Sequence, residues 1–161
     1  MNPLLNLSTS LILASQSPRR QALLDHTEVS YQVQVSPADE DLTDPGPPAT
    51  VVQRLARRKV RPVAGEHPWA LVLAADTVVA HDGEILNKPE SPAHAETMLR
   101  RLSGTSHTVY TGIALAHATT DRETTAVEGT DVVLAPLTDA EILAYVDSGS
   151  PMDKAGGYGI Q

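Results

Sequence analysis

Apolar and polar positions alternate along the chain in blocks that predict short strands separated by helices. Residues 11–14 are apolar and end abruptly at Ser15, which predicts a buried strand that runs into a loop. Residues 70–75 are almost entirely apolar, as is typical of a central strand covered on both faces. Residues 31–35 alternate strictly between apolar and polar side chains, which predicts a half-buried strand.

Several other segments carry the start signals and the apolar spacing of helices, and Thr138-Asp-Ala-Glu141 has the pattern of a capping box. These helices are expected to cover residues 19–26, 50–61, 92–102 and 138–148. In the first of them, residues 22–24 are expected to face inward. The second is expected to end or kink at Pro62, because proline lacks the N–H that a helix interior needs.

Asp82-Gly83 is a strong signal for a two-residue hairpin between residues 78–80 and 84–86. Two longer strands are expected at 108–117 and at about 124–134. Because the hairpin interrupts the alternation of strands and helices, the pattern favours an α/β fold with a mixed, twisted sheet flanked by helices. A uniform doubly wound sheet is the less favoured alternative.

Length and composition are those of a globular protein, so residues 1–161 are interpreted as one domain. The net charge of −8 argues against a nucleic-acid polymer or an anionic membrane as the main partner. Cysteine is absent, which excludes disulfides and a cysteine nucleophile. No apolar run approaches the length of a membrane span, and residues 1–10 lack the features of a secretory signal. A cytoplasmic location is therefore expected.

The loop after the first strand has the features of an anion site. Ser17 is a suitable N-cap and Pro18 suits the first helical position. The start of a helix favours negative charge, and Arg19 and Arg20 add guanidinium donors where a phosphate chain could lie. Ser15 and Ser17 are expected to bind substrate there. Neither is favoured as a nucleophile, because no partner base or Gly-x-Ser-x-Gly element accompanies them.

Two carboxylates are candidates for metal binding or proton transfer. Asp76 directly follows the predicted strand at 70–75, where it could hold Mg²⁺, take a proton from water, or simply cap a turn with Thr77. Glu40 lies in an acidic loop, and a solvated surface position is the more ordinary interpretation of that spacing. Two carboxylates from separate strand ends would nevertheless make a reasonable Mg²⁺ site, since phosphate oxygens and waters complete its coordination.

Basic and glycine-rich positions complete the candidate site. Lys59 lies on a basic helix and could equally belong to a solvated charged face. Lys88 precedes Pro89, which suggests a charge held in place, although a plain surface lysine is the alternative. Residues 153–159 could allow close approach of a ligand or form a flexible tail. His107 has no second histidine at a useful short spacing, so a structural hydrogen-bonding role is favoured.

Taken in chain order, several short motifs resemble those of the Maf family of nucleotide pyrophosphatases. They are Ser15-Gln-Ser-Pro-Arg-Arg20, Ala75-Asp-Thr77, Asn87-Lys-Pro89, Leu102-Ser-Gly104 with Ser106-His107, Tyr110-Thr-Gly112, and residues 153–161. The set runs from near residue 11 to the last residue, and its order makes it far more specific than any single motif.

The resemblance implies a mixed-sheet α/β fold with a deep cleft, similar to that of inosine triphosphatases. It implies hydrolysis of a nucleoside triphosphate to the monophosphate and pyrophosphate with Mg²⁺ or Mn²⁺. Asp76 matches the proton acceptor of the family, and Glu40 matches an acidic residue near the metal, so both are expected to bind it. Arg20, Lys59 and Lys88 match basic residues that face the phosphates.

Substrate choice is tied by the same resemblance to Arg19, Thr77 and Gln161. Their identities are similar to those of the subfamily that acts on dTTP and UTP, whereas the 7-methyl-GTP subfamily tends to carry Trp and Gln at the first two positions. Members are often homodimers, so a homodimer is a possible assembly. The alternatives are a nucleotide-binding regulator linked to cell division with little turnover, and a pyrophosphatase for 7-methyl-GTP or non-canonical purine nucleotides.

Family members usually continue beyond the Gly-Ile-Gln element, whereas this chain stops at Gln161. The domain is therefore expected to be short at its C-terminus, with the last elements of the family fold missing.

Overall fold

The computed structural model describes residues 9–38 and 46–160. These residues fall into two compact units. The first contains the residues up to Asp76 together with Gly112–Val127, and the second contains Thr77–Thr111 and the residues from Glu128 onward. The interpretation of residues 1–161 as a single domain stays a prediction.

The described residues form strands and helices in the mixed order that the sequence predicted. The strands are β1 (Leu11–Leu13), β2 (Tyr31–Val33), β3 (Leu71–His81), β4 (Glu84–Leu86), β5 (Ser106–His117) and β6 (Arg122–Val133). The helices are α1 (Pro18–Asp25), α2 (Pro48–Glu66), α3 (Pro92–Leu102) and α4 (Asp139–Asp147). Two 3-10 turns follow, at Ser150–Asp153 and Ala155–Gly157. None of these helices combines the length and the apolarity that crossing a membrane requires.

The strands form a mixed sheet in the order β2-β1-β3-β5-β6, with β4 paired to β3. β1 is parallel to both neighbours, with Ile12 aligned to Gln32 of β2 and to Val72 of β3. β3 and β4 are antiparallel and are joined by the predicted hairpin. Asp82 and Gly83 have φ of 50° and 78°, the left-handed backbone that a two-residue turn requires. The α/β fold with a mixed sheet is confirmed, and the deep cleft stays a prediction.

The core of the first unit forms between α2 and strands β1, β3 and β5. α2 places an apolar stripe inward, and Val52, Val60 and Val63 are fully buried. The helix begins at Pro48, earlier than predicted, because proline at a first helical position loses no hydrogen bond. The predicted end at Pro62 is wrong, since Pro62 lies inside the helix, and a kink there stays a prediction. Burial of Val63 beyond it is worth about 1.5–3 kcal/mol, which is comparable to the ~3 kcal/mol cost of an interior proline.

The core of the second unit forms between α3 and α4. Ala95 and Leu99 of α3 pack with Ile142 and Val146 of α4. α4 begins with a capping box in which Thr138 and Glu141 each accept a backbone N–H of the other. This local signal was readable in the sequence.

Two surface elements are more exposed than the apolar pattern predicted. The prediction of a half-buried strand is wrong for Val33 and Val35, which are 44% and 50% exposed. The prediction that residues 22–24 face inward is wrong for Leu23, which is 68% exposed, and for Ala22, which is also exposed. β2 is the end strand in the sheet order and pairs with β1 over three residues. Within the described residues its side chains are exposed or half-buried.

Candidate active site

The loop between β1 and α1 is organised by the hydroxyl of Ser15. β1 is buried throughout, and Ser15, two residues beyond its end, is only 7% exposed. Its Oγ accepts hydrogen bonds from the backbone N–H of Ser17 at 3.2 Å and from Nη1 of Arg20 at 3.1 Å. The first turn of α1 is therefore tied to the end of the strand, and one guanidinium is held at that end.

The start of α1 agrees with the prediction in position and differs in how it is capped. Pro18 is the first helical residue, and Ser17 is the N-cap with extended backbone. The side chain of Ser17 makes no capping hydrogen bond. Instead, the Ser15 hydroxyl bonds to the Ser17 backbone. Arg19 and Arg20 both lie in the first turn, half-buried, where the helix dipole favours an anion.

A second polar group in the same unit is the ion pair between Lys59 Nζ and Asp76 Oδ2. Lys59 is 9% exposed and Asp76 is 7% exposed, so this is a buried pair of opposite charges. Several basic residues lie beside Lys59 in the sequence of α2, so the sequence did not show whether Lys59 faces the core or the solvent. The structure turns Lys59 toward the core side and away from the solvated face.

The position of α2 depends on a glycine to which the sequence pattern assigned no role. A Cβ on Gly112 of β5 would lie 2.7 Å from the carbonyl oxygen of Val52 and 2.9 Å from the backbone nitrogen of Gln53. Only a residue without a side chain allows the helix backbone this close to the strand. The available signal was a lone glycine inside an otherwise strand-like pattern.

Asp76 lies inside β3, not after its end. The prediction that the strand stops at residue 75 is wrong, because the β-branched residues Thr77 to Val79 continue the extended backbone to His81. Asp76 nevertheless lies beyond the carboxyl end of the neighbouring strand, since the pairing of β1 with β3 ends at Leu13 and Leu73. Asp76 therefore lies at the side of the sheet where β1 has its carboxyl end.

In the second unit, Thr77 contacts the neighbouring strand. Its Oγ1 lies 3.0 Å from Oγ1 of Thr111 on β5. Thr111 belongs to the Tyr110-Thr-Gly112 motif and was not predicted as a site residue. The hydrogen bond fixes the rotamer of Thr77, the residue that the resemblance tied to substrate choice.

Lys88 is exposed and lies between the half-buried Asn87 and the buried Pro89. The backbone carbonyl of Asn87 accepts a hydrogen bond from Gly156 N–H at 3.0 Å. Gly156 and Gly157 are both buried, so the glycine-rich segment is packed, and a flexible tail is the wrong alternative for these residues.

The sequence of this chain matches the family model described as "Maf-like protein" over residues 10–161. The chain belongs to the Maf-like family.

Two similar relatives are both named dTTP/UTP pyrophosphatase. The chain is 69% identical to a dTTP/UTP pyrophosphatase of Salinibacter ruber, in a match that covers the whole chain and 79% of that protein. It is 52% identical to a dTTP/UTP pyrophosphatase of Symbiobacterium thermophilum, covering 94% of this chain and 77% of the relative.

Solved structures resemble the fold at much lower identity. The Ham1 protein of Staphylococcus aureus superposes with a TM-score of 0.57 at 14% identity, covering 77% of this chain and 71% of that one. A HAM1 protein of Coxiella burnetii has a TM-score of 0.54 at 18% identity, covering 95% and 88%. These matches support the mixed α/β fold of this Maf-like chain.

Two residues that the Maf resemblance tied to the site, Glu40 and Gln161, lie outside the described residues. Within the described ranges, no group of three or more Asp, Glu or His side chains could hold a metal ion. The donor chemistry at Asp76 fits Mg²⁺ or Mn²⁺, because such ions are commonly held by one or two carboxylates together with phosphate oxygens and water. The carboxylate at Asp76 therefore suits a metal ion that binds together with a phosphate-containing ligand.

His107 of this Maf-like chain has the structural hydrogen bond that the sequence favoured. It is 4% exposed, and its Nε2 lies 2.6 Å from the hydroxyl of Tyr158. Burial lowers the pKa of His107 below its ordinary value of 6.5, and the nearby His81 ring lowers this pKa further. Burial also raises the pKa of Tyr158. Both rings are therefore uncharged at neutral pH.

Proposed function

We propose that this chain hydrolyses dTTP and UTP to the nucleoside monophosphate and pyrophosphate. The observation that carries the proposal is the 69% identity, across the full length of this chain, to a relative named for that activity. The buried Lys59–Asp76 pair and the Ser15–Arg20 contact are consistent with it, because the reaction needs a carboxylate and several cations beside a phosphate chain.

In this proposal, Asp76 acts on the attacking water. A buried carboxylate can orient a water molecule and accept its proton while the oxygen attacks the α-phosphorus. Lys59 keeps the carboxylate in one orientation through the ion pair. Negative charge then builds on the oxygens of the leaving pyrophosphate, where cationic side chains lower the barrier.

Arg20, Lys59 and Lys88 are the proposed partners of the phosphates. Arg20 contacts Ser15 through Nη1, and its guanidinium carries several N–H donors in a planar fork, which suits bidentate binding to phosphate oxygens. Ser15 and Ser17 line the same loop and are proposed to contact the phosphate chain. Lys88 supplies an ammonium on a flexible side chain from an anchored loop.

Arg19, Thr77 and Gln161 are proposed to select the base. The hydroxyl of Thr77 is held by the hydrogen bond to Thr111, so it can offer the base a donor or an acceptor in a fixed direction. A site that hydrogen-bonds the substrate discriminates strongly against analogues that leave its polar groups unpaired.

Mg²⁺ or Mn²⁺ is the proposed metal, with Asp76 and Glu40 as its protein ligands. When bound, such an ion would polarise the phosphoryl oxygens and neutralise charge on the triphosphate. We also propose that the protein acts in the cytoplasm, forms a homodimer, and has neither a membrane nor a nucleic-acid polymer as a partner. The net charge of −8 argues against both a membrane and a nucleic-acid polymer as a partner.

The test is a pyrophosphate-release screen with Mg²⁺ over dTTP, UTP, their modified forms, 7-methyl-GTP and non-canonical purine triphosphates. Release from dTTP and UTP is expected, and the variant Asp76→Asn should abolish it. Cleavage of 7-methyl-GTP or purine nucleotides without cleavage of pyrimidine nucleotides would contradict the substrate assignment. Tight nucleotide binding with no product after long incubation would instead support the regulator.

A further inference from the structure

The glycine-rich segment of residues 154–159 lies against the backbone of other elements in the second unit. The N–H of Gly156 donates to the carbonyl of Asn87, and the N–H of Gly157 donates to the carbonyl of Lys154. Gly156 and Gly157 have φ of +69° and +73°, in the left-handed region that favours glycine. The segment therefore reaches Asn87 in a conformation that few other residues would adopt.

The contact at Gly156 leaves no space for a side chain. A Cβ on this residue would lie 2.9 Å from Cγ2 of Val79, and Val79 is itself 2% exposed in β3. The backbone of the segment is thus in direct contact with the strand that continues from Thr77. A close approach of this kind costs chain entropy, and a specific attachment nearby is needed to offset it.

Tyr158 supplies that attachment. Its ring packs against buried apolar residues of both small clusters in the unit, which include Leu99 and Leu102. Its hydroxyl lies 2.6 Å from Nε2 of His107, and the two rings meet edge to face with centroids 5.3 Å apart. Among the described residues, Nδ1 of His107 has no hydrogen-bond partner. The hydrogen bond to Tyr158 therefore satisfies Nε2 of this buried ring and fixes the ring at that end.

The carbonyl that Gly156 binds is part of the peptide unit that leads into Lys88. The C=O of Asn87 and the N–H of Lys88 lie in one plane, so a hydrogen bond to that carbonyl fixes the direction in which the Lys88 backbone leaves it. Pro89 restricts Lys88 further, because the residue before a proline is confined to extended conformations. Pro89 is also buried, so the loop is held on both sides of Lys88.

We propose that the His107–Tyr158 hydrogen bond holds the glycine segment against Asn87 and thereby positions Lys88 for the phosphates. His107 and Tyr158 are positioning residues, since they act through the Gly156–Asn87 contact. The role of Lys88 in this statement rests on the proposed function, whereas the attachment of the segment does not.

The first experiment measures amide hydrogen exchange at Gly156 by NMR in the full chain. Tyr158→Phe removes the hydroxyl and keeps the ring, and it should raise the Gly156 exchange rate by about five- to tenfold, the effect of losing one ordinary hydrogen bond. The control is Tyr31→Phe, which removes a hydroxyl bonded to Asp25 at 2.8 Å in the other unit and should leave Gly156 unchanged. Unchanged exchange in Tyr158→Phe would overturn the attachment.

The second experiment measures kcat for pyrophosphate release from dTTP in a double-mutant cycle with Lys88→Ala. Tyr158→Phe should lower kcat by about five- to tenfold in the wild-type background and cause no further loss in the Lys88→Ala background. An equal loss in both backgrounds would mean that Tyr158 does not act through Lys88, which overturns the positioning role. If the wild-type chain releases no pyrophosphate, the proposed function fails, and the exchange at Gly156 still decides whether the attachment exists.

Discussion

The same helix, α2, forms a buried ion pair with Asp76 and exposed ion pairs with Glu123. Lys59 pairs with Asp76 where the two side chains are 11% and 10% exposed. Arg57 and Arg61 pair with Glu123, at 3.2 and 2.8 Å, where the guanidinium side chains are 49% and 66% exposed. Charges that leave water lose several kcal/mol of hydration, whereas exposed charges keep most of it. A protein keeps a costly buried pair for a reason other than stability, and chemistry at Asp76 would be such a reason.

The largest effect is expected from Asp76→Asn, which tests the buried side of this comparison. Loss of the carboxylate should lower pyrophosphate release by about 10²–10⁴-fold, the usual contribution of a positioned general base. It should also lower the free energy of unfolding by about 3–5 kcal/mol, because it breaks the buried ion pair between Lys59 and Asp76. Steady-state kinetics and urea unfolding measure the two effects.

The double variant Asp76→Asn/Lys59→Met is the control for that experiment. The second substitution replaces the buried ammonium of Lys59 with an apolar side chain. Most of the stability lost in Asp76→Asn should therefore return, while activity stays absent. If Asp76→Asn alone were as stable as the wild type, the idea of a costly buried pair would be wrong.

A smaller effect is expected from Gly112→Ala, which moves the helix that carries both sets of charges. The new Cβ would meet the Val52 carbonyl at 2.7 Å, so α2 must shift. We expect a loss of about 1–3 kcal/mol in the free energy of unfolding, as for other overpacked cores. Activity at a fixed substrate concentration should also fall, because Lys59 moves with the helix.

Gly65→Ala in the same helix is the matched control, since a methyl group at this position would meet no described atom within 4 Å beyond its chain neighbours and the nearby backbone of its own helix. It should stabilise the protein by about 0.5–1 kcal/mol through helix propensity and leave activity unchanged. Equal destabilisation by both substitutions would show that the close approach at Gly112 is not the cause.

The smallest effect is expected from Glu123→Gln, on the exposed side of the comparison. The Arg61 guanidinium, which hydrogen-bonds Glu123, holds the pKa of this carboxyl below its ordinary value of 4.5. The stabilisation is therefore fully present above pH 4.5 and is lost as the pH falls through the lower, folded-state pKa. At pH 7 the free energy of unfolding of the variant should fall by at most about 1 kcal/mol, and its activity should be unchanged.

Urea unfolding of Glu123→Gln and wild type between pH 7 and about pH 3 measures this difference. The two proteins should converge in acid and in high salt, because both conditions remove the attraction. If Glu123→Gln lost as much free energy of unfolding at pH 7 as Asp76→Asn does, the buried and exposed pairs on α2 would not differ in the way described.

Local signals in the sequence predicted local structure well. The Asp82-Gly83 hairpin and the Thr138 capping box depend on adjacent residues, and both are confirmed. The mixed sheet followed from the hairpin. In contrast, the exposure of Leu23 depends on which other elements cover α1, and no local pattern contains that information.

The geometry of the site was less predictable, because its contacts join residues that are distant in sequence. Arginines beside Lys59 belong to the same basic helix, and only the position of β3 determines which cation reaches Asp76. The contact of Gly156 with Asn87 depends on the path of the chain through α4 and two 3-10 turns. The sequence therefore supplied candidate residues, and the structure was needed to show which of them pair.

The continuity of β3 has a consequence for how such a chain can evolve. Asp76 and Thr77 are neighbours in an unbroken strand, so their side chains leave opposite faces of it and find different partners, Lys59 and Thr111. With the roles proposed above, a substitution at Thr77 would alter which base is accepted while the Lys59–Asp76 pair keeps its surroundings. Selectivity would then diverge among descendants by single mutations, and the capacity for hydrolysis would be inherited unchanged.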